Sequence, residues 1–171
     1  MPRVYVCPLS RIAETVAKSN ASHLVSLIND GTPVMRPQSI PEANHLFLGI
    51  NDIVDPMDGM VLPGHNHVEQ LIAFVGGWEA DRPIVVHCFA GISRSTAAAF
   101  ITLCALKPER DEADIARRMR AASRHALPNS RLVAVGDDIL GRNGRMVDAV
   151  REMGRGEFTP ENTPFSLALH G

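Results

Sequence analysis

Short apolar runs closed by turn residues alternate along the chain with longer stretches in which apolar positions recur every three to four residues. Val4–Cys7 reads as a first strand. Ser10 is a candidate N-cap for a helix with Ile12, Ala13, Val16 and Ala17 at helical spacing, and Leu24–Ile28 reads as a buried strand ended by Asn29-Asp30-Gly31. Pro33, Pro37 and Pro41 make residues 32–44 irregular before a further strand at Leu46–Ile50 and an Asp-rich loop. Val68, Leu71, Ile72 and Val75 predict a helix between His65 and Trp78, loosened at its end by Gly76-Gly77, after which Pro83-Ile84-Val85-Val86 starts a strand that runs to His87-Cys88. An Ala-rich helix over 95–106 follows. A second helix over 111–123 carries acids at its start and arginines at its end, as the helix dipole favours; Pro128-Asn129 opens a third over 130–140, and 145–153 forms a short fourth. The sum is an α/β fold with a mostly parallel central sheet of four to five strands flanked by helices. Residues 1–154 form one domain, and 155–171, with Pro160 and Pro164, a tail that is extended or packed on it.

Composition narrows the functions open to such a domain. At 171 residues the chain folds as one unit, and 17 Lys+Arg against 19 Asp+Glu leave a net charge of −2. No global basic field exists to draw in nucleic acid or anionic lipid, so neither is expected as a partner. Cys7, Cys88 and Cys104 are too few, and odd in number, for a disulfide scaffold, which favours a reducing compartment. The apolar run 96–106 is shorter than the roughly 18 residues that span a bilayer, and the first residues lack a basic-then-apolar signal pattern, so the expected location is the cytoplasm.

The chemistry concentrates where the strand 84–86 runs through His87-Cys88-Phe89-Ala90-Gly91-Ile92-Ser93-Arg94-Ser95 straight into the Ala-rich helix. On such a strand-to-helix turn the backbone N–H groups of residues 89–94 can converge on one point and add to the positive end of the helix, which makes a nest sized for a phosphate dianion. The same field favours thiolate over thiol at Cys88, since thiols at helix starts fall from about 8.5 toward 3.5–7.5. Arg94 stands where its planar fork can donate two hydrogen bonds to a phosphoryl group. Gly91 permits a close backbone approach or a conformation barred to other residues, Ser95 can donate to the Cys88 sulfur, and His87 is expected to orient the loop through a backbone hydrogen bond.

The segment HCFAGISRS resembles the signature loop of the cysteine-based protein tyrosine phosphatases, and most of all that of their dual-specificity branch. The likeness extends loosely to the strand, helix and Asp-loop pattern from about residue 23 and to Pro128-Asn129. It implies a phosphomonoester hydrolase acting through a cysteinyl-phosphate, with Phe89, Ala90, Gly91, Ile92 and Ser93 around the phosphate and no metal or organic cofactor. It implies also an upstream Asp that protonates the leaving oxygen and later activates water. Asp52 sits almost directly after the strand 46–50, as in similar enzymes, but lies 36 residues before Cys88, a long separation for that branch. Asp55 and Asp58, on the same loop, are the alternatives. Similar enzymes often carry an Arg four residues before the Pro-Asn pair, a place Arg124 occupies, where it can meet a second anionic group.

The expected partners are a phosphorylated protein or a small phosphoester, with phosphate- or sulfate-type anions able to occupy the loop. The loop interior has no Lys, unlike many phosphoinositide phosphatases, and no segment before the sheet looks suited to clamp phosphotyrosine, which implies a shallow pocket. Two rivals stand beside this reading: a phosphate-binding module that has lost turnover, and a rhodanese-type sulfurtransferase, which needs no upstream Asp. His65 and His67, two apart, do not share a helix face and lack a third ligand, so a polar helix start is expected there and no metal site.

Overall fold

A computed structural model describes residues 1–171. The chain builds five strands, β1 (Arg3–Pro8), β2 (His23–Ile28), β3 (His45–Gly49), β4 (Ile84–Cys88) and β5 (Phe165–Ala168), and six α-helices, α1 (Ile12–Ser19), α2 (His65–Gly76), α3 (Arg94–Leu106), α4 (Glu112–Ala122), α5 (Ser130–Leu140) and α6 (Arg145–Met153). The strands form one sheet in the order β3-β2-β4-β1-β5, parallel except for β5, which runs antiparallel to β1. No helix is long and apolar enough to cross a membrane.

Both faces of the sheet are covered, unequally. Val4 and Val6 of β1, Val25 and Leu27 of β2, and Ile84 and Val86 of β4 point into a core of thirty buried residues shared with α2 to α6. Cys7, Leu24 and Val85, on the other face, join Ile12 and Val16 of α1 in a seven-residue core closed by Ile40 from the proline-rich segment. This two-sided burial makes β4 apolar through Ile84, Val85 and Val86, each contributing roughly 1.5–3 kcal/mol when fully removed from water. It is thus a rigid stem for the residues at its carboxyl end. The buried Ala97, Ala98 and Ala99 let α3, the helix that leaves the loop, lie close to its neighbours.

One expectation is corrected. Ser10 does not cap α1: a 3-10 turn over Leu9–Arg11 precedes the helix, and the Ser10 hydroxyl instead donates to the Glu161 carboxylate. The tail ends in β5, whose Leu167, with Leu169 after it, enters the larger core. Arg3 ties the pair further by donating from Nε to the Ser166 hydroxyl at 2.8 Å.

Candidate active site

Cys88 is the last residue of β4 and Arg94 the first of α3, so the five residues between them hang from two rigid elements. The loop carbonyls all face outward onto donors. His87 Nδ1 meets the Cys88 carbonyl at 3.0 Å, the Leu9 amide donates to Phe89 at 3.1 Å, the Leu127 amide to Ile92 at 2.9 Å and the Asn129 amide to Ser93 at 3.1 Å. Asn162 supplies the donors for Ala90 and Gly91. In a trans peptide the next N–H points the opposite way, so the amides turn inward; those of residues 90–93 donate to nothing in the protein. Gly91 takes φ +71°, and a Cβ there would lie 2.8 Å from Pro8 N, so the loop rests on the end of β1 through a position only glycine fills without strain.

The sulfur and the guanidinium meet at this arc. Cys88 Sγ lies 3.1 Å from the buried Ser95 hydroxyl. Arg94 is 7% exposed; its Nη1 donates to Asn29 Oδ1 at 2.7 Å and to the Ile50 carbonyl at 2.9 Å, while its buried Nε has no partner. A buried N–H left unpaired costs about 1–3 kcal/mol, so this edge of the fork is arranged for an acceptor from outside the protein.

A cleft of about 420 Å³ opens over the loop, lined by Cys88, Phe89, Ala90, Ile92, Ser93 and Arg94 from the loop and by Asp52 across from it. Asp52 Oδ1 accepts from the Ser93 hydroxyl at 2.8 Å and from Asn129 Nδ2 at 2.9 Å; none of these donors reaches Oδ2. Paired hydrogen bonds between Asn51 and Val61 pinch off the loop between them, with Asp52 at its base. Asp55 lines only the adjoining hollow, and Asp58 lines neither.

Arg124 is not brought to the cleft. Its side chain, 71% exposed, pairs with Glu157 at 3.5 Å, and Arg155 takes the place among the lining residues. Gly91 stands behind the loop rather than in its wall, and Ser95 beneath the sulfur. His65 pairs with Asp138 at 2.8 Å, while His67 Nδ1 accepts from the Gly64 amide at 3.0 Å at the start of α2.

Sequence reasoning missed Asn29, Ser93 as a donor to Asp52, Asn129 through its side chain, Arg155 and Asn162. Asn129 alone left a signal, since Asn before a helix is a common cap, and its Oδ1 does accept from Leu132 N at 2.9 Å. One amide therefore caps α5 with its oxygen and fixes Asp52 with its nitrogen.

His87 is wholly buried and tied by both ring nitrogens. Because a carbonyl only accepts, Nδ1 carries the proton toward Cys88 O, and Nε2 accepts from the Ser26 hydroxyl at 2.7 Å; Ser26 in turn meets His45 Nε2 at 2.8 Å. Burial pushes the imidazole down to about 4, against the usual 6.5. The folded state then binds fewer protons than the unfolded one between these values, so stability is full above pH 6.5 and is lost as pH falls toward 4. The loss from this group is about 3 kcal/mol. His87→Asn keeps an N–H toward Cys88 O but cannot titrate, so the urea midpoint should fall less steeply with acid in the variant than in the parent; parallel curves would refute the assignment.

Comparison with known proteins comes to the same place. The family model described as protein-tyrosine phosphatase matches residues 57–130, which include the whole loop. No curated protein matches the chain. Among solved structures, the chain is similar to PTP-2 phosphatase of Cydia pomonella (TM-score 0.61, 20% identity, 79% of this chain and 84% of that one). It is similar also to human DUSP28 (0.60, 15%, 88% and 95%) and to the human tyrosine phosphatase-like serine/threonine/tyrosine-interacting protein (0.63, 16%, 82% and 92%). At these identities the likeness is one of fold.

Proposed function

We propose that this chain, which has the fold of the dual-specificity phosphatases and a protein-tyrosine phosphatase segment over residues 57–130, is a phosphomonoester hydrolase working through a cysteinyl-phosphate. One observation carries the reading: four consecutive undonated amides and a buried, unpartnered Arg94 Nε surround the strand end that bears the Cys88 sulfur.

The Cys88 thiolate attacks phosphorus in line with the ester oxygen, forming the S–P bond as the P–O bond breaks. The amides of the loop and the free edge of Arg94 hold the three equatorial oxygens through the transition state. Asp52 gives its proton to the departing oxygen, then takes one from the water that attacks the cysteinyl-phosphate. As the S–P bond breaks, the Ser95 hydroxyl donates to the returning thiolate, and inorganic phosphate leaves. Ser93 and Asn129 hold the Asp52 carboxylate by one oxygen, so the other is the one that carries the proton.

The rim favours substrates with an apolar body. Phe89 and Phe158 stand 65% and 93% exposed on the cleft beside Leu127, and Arg155 and His125 are the basic side chains near the mouth. This supports an aryl phosphate or a phosphorylated protein side chain over a densely charged headgroup.

The direct test is hydrolysis of p-nitrophenyl phosphate and of an alkyl phosphate by the purified chain, with acid quenching to trap phosphate on the protein. The expected result is steady release with an initial burst and label on Cys88. Vanadate binding with no turnover from about pH 5 to pH 8 would instead support a binding module.

A further inference from the structure

We propose that Asn162 is a positioning residue for the anion loop, which makes the C-terminal segment a working part of the site. For turnover the proposal rests on the hydrolase reading above; for its principal test it needs only anion binding.

Four of the six outward carbonyls, those of residues 88, 89, 92 and 93, are each held by a different donor: the His87 ring and the amides of Leu9, Leu127 and Asn129. The remaining two, at the middle of the loop, are both held by one residue, Asn162. The Asn162 amide N–H donates to Ala90 O at 2.9 Å, and its side-chain Nδ2 to Gly91 O at 3.0 Å. Those carbonyls belong to the peptides whose N–H groups are supplied by Gly91 and Ile92, at the middle of the arc. Asn162 is itself 4% exposed, and Nδ2 also lies 3.0 Å from the hydroxyl of the buried Ser123. Because Gly91 O can only accept, the nitrogen side of the amide must face the loop.

Glycine explains why this residue is needed. At Gly91 no Cβ resists rotation of the adjoining peptides, so sterics alone do not keep the 91–92 carbonyl outward. If that peptide turned over, an acceptor would replace a donor in the arc and repel the anion it is built to hold. Asn162 fixes the two peptides through their carbonyls, and the backbone of Cys7 and Pro8 lies close against Gly91. The segment that carries Asn162 is anchored on both flanks. Before it, Glu157 N donates to Arg124 O at 2.8 Å, His125 Nδ1 meets Glu157 O at 2.8 Å and Arg120 donates to Gly154 O at 2.9 Å; after it comes β5. In this arrangement Arg124 and His125 serve as posts for the segment.

The test compares Asn162→Ala, Asn162→Asp and Ser123→Ala with the parent, all as full chains. Met146→Ala, a deletion in the buried face of α6, serves as a control for lost stability. Orthovanadate affinity is read by calorimetry well below the melting point, and kcat and KM with p-nitrophenyl phosphate. Asn162→Ala should bind vanadate about tenfold more weakly, the loss expected when a buried carbonyl gives up its donor, and Asn162→Asp more weakly still. Ser123→Ala, which only loosens the amide, should shift affinity in the same direction by less, and it keeps the test open if the Asn162 variants do not fold. Met146→Ala should lower the melting point and leave vanadate affinity unchanged. Parental vanadate affinity in Asn162→Ala or, where that variant does not fold, in Ser123→Ala would overturn the proposal and leave Asn162 as a staple of the fold. A parent chain that binds vanadate and hydrolyses nothing would sink the hydrolase reading alone; one that does not bind vanadate would sink both.

Discussion

Cys88→Ser should keep phosphate in the cleft and lose turnover by at least about 10⁴-fold. The donors that hold the anion are the loop amides and Arg94, and the substitution touches none of them. What it removes is the nucleophile. A serine hydroxyl is a far weaker nucleophile than a thiolate, and the hydrogen-bond partner at that position, the buried Ser95 Oγ at 3.1 Å from Cys88 Sγ, is no base. His87 cannot take its proton either, because both ring nitrogens are committed away from the cleft, to the Cys88 carbonyl and to Ser26. Binding and turnover therefore separate cleanly in this variant. A Cys88→Ser chain that still released phosphate at more than about a hundredth of the parental rate would mean that a different group attacks. Iodoacetate gives a companion measurement: of the three buried cysteines only Cys88 lines the cleft, and burial pushes the Cys7 and Cys104 thiols up to about 12. Alkylation at neutral pH should accordingly fall on Cys88 and be blocked by vanadate.

The second large effect concerns the acid. Asp52→Asn should slow hydrolysis of an alkyl phosphate by about 10²–10⁴-fold and abolish the basic limb of its pH–rate curve. The effect should be much smaller with p-nitrophenyl phosphate, whose leaving group departs readily without a proton. Asp55→Asn and Asp58→Asn should leave both rates within about twofold of the parent, as surface changes away from the reacting atoms do. The difference follows from where the Asn51–Val61 hydrogen bonds close the loop. Asp52 is at its base, clamped by Ser93 and Asn129 and facing the cleft that holds Cys88; Asp55 is beyond the clamp in the next hollow. Loss of the basic limb in Asp55→Asn, with Asp52→Asn near normal, would reverse the assignment.

The parallel strands, the six helices and the loop between β4 and α3 were legible because each rests on a local pattern. Val85 and Val86 between Pro83 and the His-Cys pair can hardly be anything but a buried strand, and the glycine and arginine that follow sit at fixed distances from the cysteine. β5 was hidden for a physical reason. Its apolar alternation of Phe165, Leu167 and Leu169 is short and follows two prolines, and only pairing with β1 makes it a strand. The partners of the site were hidden more deeply. Asn29, Asn129 and Asn162 are polar residues in turns and at a cap, where asparagine is common for purely local reasons. Nothing in the spacing along the chain says that they converge on Arg94, Asp52 and Gly91. Arg124 illustrates the converse. The resemblance that pointed to it is one of position in the sequence, but the chain after α6 folds back with Arg155 over the cleft and Glu157 against Arg124.

The contact between β1 and β5 also bears on how the molecule assembles. Arg3 and Ser166 are 163 positions apart, so joining them closes almost the whole polypeptide into a ring, at an entropic cost of about 4–5 kcal/mol from chain length alone. Strands β1 to β4 share a connected core, and β5 covers the side of β1 that would otherwise be an open edge. The cleft over Cys88 therefore shares a tether with the sheet edge, because Asn162, which holds the middle of the loop, stands three residues before β5.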